Sequence, residues 1–198
     1  KKITSKTKAI IPVHLYGKPY DTAVLKKRII NKKIFIIEDC AEAIGSKYRN
    51  QFVGTFADVA TFSFFANKTL TTGEGGMVIF KKKSFFNKAN IIKSHGMSNK
   101  RKYYHNFVGS NFRITNLQAA IGYAQLQRYK MILNKKKFIE GFYIKRLKKY
   151  KKFINFLQQK KGFTNTMWFF CIFFKNKKIL NSFIKYLMEN NIETRRTF

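Results

Sequence analysis

The apolar residues fall into short unbroken runs early in the chain and into helical spacing later. Residues 9–13 form a compact apolar run that ends in His14 and a turn at 15–19. Asp21 stands where it can cap a helix over residues 22–30, with Val24, Leu25 and Ile29 on one face. Residues 33–37 are a second apolar run, closing on Glu38 and Asp39. Strand, helix, strand in this order predicts a βαβ unit, hence a parallel sheet with a right-handed crossover. A hairpin is expected over 47–54, turning at Arg49 and Asn50, and strands over 57–65 and 77–80. Ser84 is placed to cap a helix running through Ile92.

Residues 97–110 are basic and aromatic without periodicity and read as a loop. Thr115 and Asn116 then open a helix with Leu117, Ala120, Ile121 and Ala124 at helical spacing, and a second helical stretch covers 134–150. Apolar runs at 153–156 and 168–174, followed by a helix over 178–190, give a strand–strand–helix pattern. The division this predicts is residues 1–130 as part of a large α/β domain. Residues 131–198 are then a connecting helix and the start of a small α+β domain. The chain opens at Lys1 and stops at Phe198 without a closing element, so it reads as a piece of a longer protein.

Composition changes this picture little. A hydrophobic share of 45% is that of a globular protein. The formal charge of +32 points toward polyanions. Yet the lysines are spread over the whole chain, and Lys, Asn, Ile and Phe are over-used together, as A/T-rich codons would produce. Specific nucleic-acid binding is therefore not expected, and loose polyanion affinity is a side effect. The lysine clusters at 135–137 and 148–152 read as solvated helix faces. Cys40 and Cys171 are too few and too far apart for a disulfide framework or a metal site, which fits a reducing, cytoplasmic setting. The apolar stretch at 166–174 is too short to span a bilayer.

Candidate chemistry gathers at the predicted strand ends, where parallel sheets hold their ligands. Residues 61–77, TFSFFANKTLTTGEGGM, are a strand, a polar loop with one lysine, and a turn rich in glycine. A desolvated lysine there can act as a nucleophile or form a Schiff base; an ordinary solvated loop lysine is the plainer alternative. Ser63 ends the strand and can hydrogen-bond an anion. Asp39 can bind a metal, cap a helix or pair with a cation. Taken together, Lys68, Asp39 and Ser63 suit pyridoxal phosphate, which needs an amine for its aldehyde, an acid for its ring nitrogen and donors for its phosphate. His14 and His95 read as hydrogen-bonded packing residues.

The runs VHLYG at 13–17, IEDCAEAIG at 37–45, TFSFFANKTLTTGEGGM at 61–77 and GSNFRITNLQAAIG at 109–122 resemble the DegT/DnrJ/EryC1/StrS aminotransferases. The resemblance implies fold type I (aspartate aminotransferase-like) α/β architecture, with a partial large domain and the start of a small one. It implies Lys68 as the lysine that carries the cofactor, Asp39 at its pyridine nitrogen, Ser63 at its phosphate and Glu42 beside its ring. It implies that Asn111 reaches the phosphate of the neighbouring subunit, hence a homodimer with shared active sites. The activity implied is transfer of an amino group from glutamate to a nucleotide-linked keto sugar. The run at 97–116 resembles the perosamine-synthase-like branch, pointing to a GDP-linked 4-keto-6-deoxymannose.

In that loop Lys100, Arg101, Lys102, Tyr103, Tyr104 and His105 are candidates to hold the nucleotide, the alternative being a plain surface segment. Arg113 and Arg195 are candidates for a carboxylate or phosphate, because a guanidinium binds such groups bidentately. Family members are about twice this long, so the activity expected is that of the whole protein. Rival readings are a dehydratase of the same fold, which the lysine at 68 disfavours, a non-catalytic regulator, and a basic nucleic-acid-binding module.

Overall fold

The structure, a computed structural model, describes residues 2–30, 32–98, 100–157 and 159–197. Strand β1 (Ala9–Ile10) leads through a short 3-10 turn, Leu15–Gly17, to helix α1 (Thr22–Ile29) and strand β2 (Phe35–Asp39). A hairpin of β3 (Lys47–Tyr48) and β4 (Gln51–Phe52) follows, then β5 (Val59–Ser63) and β6 (Gly76–Phe80). The principal sheet has the order β1-β2-β5-β6. Its first three strands are parallel and β6 is antiparallel to β5. The predicted βαβ unit is present, and Asp21 caps α1 by accepting the Val24 amide at 3.0 Å. Leu25 and Ile29, one turn apart on α1, pack on Ile36 and Ala57 to form the core beneath this sheet. Arg49 and Asn50 carry the hairpin turn in the left-handed region, at φ 47 and 64.

Helix α2 (Lys83–Ile92) precedes the long loop, and α3 (Asn116–Gln127) and α4 (Tyr129–Leu147) come after it. Thr115 and Gln118 form a complete capping box at the start of α3. Three expectations are corrected. Ser84 does not cap α2; it lies inside the helix, and the preceding Lys82 makes no side-chain cap. The first turn closes instead through the Phe86 amide on the Lys82 carbonyl. Helix α4 starts at Tyr129, five residues earlier than the spacing suggests, and its first residues Tyr129 and Leu133 pack against Gly45. Lys136 is not on a solvated face: it is half-buried, burial lowers its pKa, and its Nζ donates to the Trp168 carbonyl at 3.3 Å.

The remaining elements are β7 (Ile154–Phe156), β8 (Phe163–Thr164), β9 (Ile172–Phe174) and α5 (Lys177–Glu189). β7 and β9 pair antiparallel, with Phe174 packed on Phe183 of α5. Only the end of the 168–174 run is strand. The segment before it crosses back to the strand-end region: β8 pairs with β3, and the Thr166 amide donates to the Gly17 carbonyl. Among the described residues no helix is long and apolar enough to cross a membrane. Both cysteines are free and buried, and burial holds the Cys171 thiol up at about 11.

Candidate active site

Alternation along β2 separates two neighbouring acids. Glu38 turns to one face and Asp39 to the other. Glu38 is fully buried. Its Oε1 accepts from His14 Nε2 at 3.1 Å and Thr22 Oγ1 at 3.2 Å. Its Oε2 accepts the amides of Phe56 and Ala57 at 3.0 and 3.1 Å. His14 Nδ1 accepts the Tyr20 amide, so the ring proton sits on Nε2. Burial pushes the Glu38 pKa up, but the His14 hydrogen bond and the backbone N–H groups of Gly54 and Phe56 outweigh it, and the net shift is downward. His14 is thus a packing residue, as its sequence context suggests. This cluster ties the 13–20 turn, α1 and the 53–57 loop to the end of β2.

Asp39 is half-buried at that end. Its Oδ1 accepts the Ala41 amide at 3.0 Å, and among the described residues Oδ2 has no hydrogen-bond partner. Its register partner on β5 is Thr61, so Thr61 and Ser63 lie on the same sheet face as Asp39. Ser63 Oγ accepts the Phe65 amide at 3.2 Å, which leaves its proton free to be donated. Lys68 lies in the turn beyond β5, where its amide bonds the Phe65 carbonyl. The glycine turn that follows places Gly75 at φ 141, and its amide-bonded neighbour Gly76 has no room for a Cβ beside the Phe62 carbonyl.

The Lys68 side chain is half-buried, and among the described residues no carboxylate is within ion-pair distance of its Nζ. The Nζ stands 3.9 Å from the centroid of the Trp168 ring. Trp168 stacks on Tyr16, with centroids 6.0 Å apart. The Tyr16 backbone is in the left-handed region, at φ 54, and its amide donates to Glu42 Oε2 at 2.7 Å. A continuous line of contacts therefore runs from Glu42, just after Asp39, to Lys68. Sequence reasoning missed Trp168; as the chain's one tryptophan, in an apolar run inside the part read as connecting helix and small domain, it gave no motif signal.

The other predicted residues lie on the surface. Asn111 is exposed, its Oδ1 accepting the Arg113 amide at 3.4 Å. Lys100, Arg101, Tyr103 and His105 are exposed, with the Arg101 guanidinium 5.3 Å from the Tyr104 ring centre. His105 Nδ1 donates to the His95 carbonyl at 2.7 Å. Arg113 is exposed, and Arg195 pairs with Glu193 at 3.0 Å, far from burial.

The mixed α/β architecture is that of the fold type I pyridoxal-phosphate-dependent sugar aminotransferases. The chain belongs to the DegT/DnrJ/EryC1/StrS aminotransferase family, whose model matches residues 1–198. It is 41% identical over 197 residues to GDP-perosamine synthase of Escherichia coli O157:H7, covering 100% of this chain and 53% of that protein. It is 46% identical over 143 residues to GDP-perosamine synthase of Vibrio cholerae, covering 72% of this chain and 39% of that protein. Helicobacter pylori PseC, an aminotransferase involved in the biosynthesis of pseudoaminic acid, superposes with a TM-score of 0.87 at 27% identity, covering 96% of this chain and 52% of that one. The chain thus spans about half the length, or less, of the curated relatives it matches.

The groups present fit pyridoxal phosphate. An unpaired amine can hold an aldehyde, a carboxylate with a free oxygen can hold a pyridine N–H, and a hydroxyl with a free proton can hold a phosphate oxygen.

Proposed function

We propose that the protein containing this chain transfers an amino group from glutamate to the keto carbon of a nucleotide-linked sugar, with pyridoxal phosphate as cofactor. A GDP-linked 4-keto-6-deoxymannose is the favoured substrate, supported by the likeness to two GDP-perosamine synthases. The observation that carries the reading is the Lys68 amine, unclaimed by any acid among the described residues, at the sheet edge that bears Asp39 and Ser63.

When bound, the cofactor withdraws electrons from the carbon that loses its proton. Asp39 would hold the proton on the pyridine nitrogen and so keep that withdrawal strong, and the Ser63 hydroxyl would donate to a phosphate oxygen. Glu42, with Oε2 engaged by the Tyr16 amide, borders the ring. Lys68 Nζ removes the proton from Cα of the amino donor and, in the second half of the cycle, returns a proton to the sugar carbon that gains nitrogen.

Asn111 serves the site of a second subunit in a homodimer. The exposed loop with Lys100, Arg101, Tyr103 and His105 receives the nucleotide, and Arg113 and Arg195 are placed to meet carboxylate or phosphate. Two free, buried cysteines suit a cytoplasmic enzyme.

In the full-length protein Lys68→Ala is expected to abolish both the visible absorbance gained on adding pyridoxal phosphate and the transfer of nitrogen from glutamate. An unchanged band would reject the assignment. Nucleotide keto sugars assayed side by side, with glutamate as donor, then identify the substrate.

A further inference from the structure

Trp168 is the one tryptophan among the 198 residues and is 7% exposed. Three contacts fix it. Its Nε1–H donates to the carbonyl of Asn67, the residue before Lys68, at 2.9 Å. Its own carbonyl accepts from Lys136 Nζ. Its ring stacks on Tyr16, whose amide is in turn held by Glu42. The Lys68 Nζ then lies 3.9 Å from the centre of that anchored ring.

A lysine ammonium on a four-carbon stem can reach several partners. Asp39 and Glu42 both belong to this end of the sheet. An ion pair with either would engage the amine in a strong charge-assisted hydrogen bond. An aromatic face attracts the cation without accepting a directed bond from it. It therefore holds the charged amine in place without a carboxylate claiming its N–H groups, and the nitrogen acts as nucleophile or base once it has given up a proton.

We infer that Trp168 is a positioning residue for Lys68. Its indole face seats the amine whenever that amine is free of the cofactor, and its N–H fixes the loop that carries the lysine. This rests on the function proposed above, in which Lys68 alternates between bound and free.

The test uses full-length enzyme and two kinds of reading. The first needs no cofactor: the tryptophan emission of the apo protein. Lys68→Met removes the cation from the ring and shifts the emission. In a Trp168→Phe background the same change leaves emission where it was, which assigns the shift to Trp168 whatever other tryptophans the whole protein has.

The second reading is the single-turnover loss of the cofactor's visible band on adding glutamate, per bound cofactor. Trp168→Leu lowers that rate at least about tenfold, with half-saturating glutamate changed by less than about threefold. Trp168→Phe, which keeps a ring face, recovers most of the rate. A purely structural tryptophan would lower cofactor content and thermal midpoint while leaving the rate per bound cofactor intact, and that result overturns the inference. So does an apo emission that ignores Lys68→Met. A wild-type enzyme that takes up no cofactor overturns the functional reading and this inference with it; an unchanged rate in a cofactor-loaded Trp168→Leu enzyme overturns this inference alone.

Discussion

The strand-end region and the helical region of this chain are built on opposite terms. At the end of β2, a fully buried glutamate has both oxygens satisfied by groups from three separate segments of the same chain. Helices α3 and α4, by contrast, bury no residue completely. Leu117 is 80% exposed, Phe112 71%, and Val108 wholly so. Val108 and Phe112 precede α3 and Leu117 is in its first turn, and large apolar side chains left this exposed suit a face that another surface covers. The first region is specified by the chain itself. The second has a shape whose apolar side becomes meaningful only against a further surface, which in the proposed enzyme is the rest of the protein and a second subunit.

The sharpest way to break this contrast is to empty the buried cluster. Glu38→Ala leaves His14, Thr22 and two backbone amides without their acceptor, at an expected loss of about 3–5 kcal/mol in urea unfolding of this chain. A loss below about 1 kcal/mol would mean the cluster is not what holds the strand ends. Glu38→Gln keeps the shape and several acceptor contacts, so it should fall between. The same cluster sets an acid limit. The folded pKa of Glu38 lies below its ordinary value, so its contribution is complete above pH 4.5 and is lost as pH falls through the lower folded value. The Glu38→Gln variant should show a flatter decline of stability below pH 4.5 than wild type.

Next in size is the docking of the 163–171 segment on the 15–17 turn. Gly17 has φ 82, and a Cβ there would stand 1.6 Å from the Thr166 carbonyl oxygen. No side-chain adjustment relieves a clash with backbone, so Gly17→Ala must displace the 163–171 segment or fail to fold. The expected cost is about 3 kcal/mol. Because the displaced segment includes Trp168, the variant's tryptophan emission should move toward that of solvated indole. Emission that stays at the wild-type position would show that Trp168 does not depend on the Gly17 docking.

The contrast also marks what could be read from the sequence. The βαβ unit, the Arg49–Asn50 turn and the α3 cap were legible because local rules set them: apolar runs, turn residues and a capping box. Asp39, Ser63 and Lys68 were legible as candidates because strand ends are where such residues gather, and the motifs around them are dense. The return of β8 to β3 was not legible. It depends on Thr166 and Ser46, 120 positions apart, sharing a hydrogen bond at 2.6 Å, and no periodicity encodes that. Trp168 was hidden for the same reason. Its contacts with Tyr16, and with Asn67 and Lys68, come from two distant segments. The packing of the start of α4 on Gly45 is likewise a non-local contact.

The smallest effect on folding is expected where the apolar surface is largest. Leu117→Glu replaces an 80% exposed side chain in the first turn of α3. Nothing packed is lost, glutamate is a good helix former, and a negative charge near the helix N-terminus is mildly favourable. The unfolding free energy of this chain should change by no more than about 0.5 kcal/mol. In the full-length protein the same glutamate would meet whatever covers α3, and a buried unpaired carboxylate is strongly disfavoured. Sedimentation of the full-length variant should then show a shift from dimer to monomer, while the isolated chain unfolds as before. If the full-length variant remains dimeric, α3 is not the covered face. If the isolated chain is destabilised by several kcal/mol, Leu117 belongs to a core of this chain, and the division between a self-sufficient region and a dependent one fails.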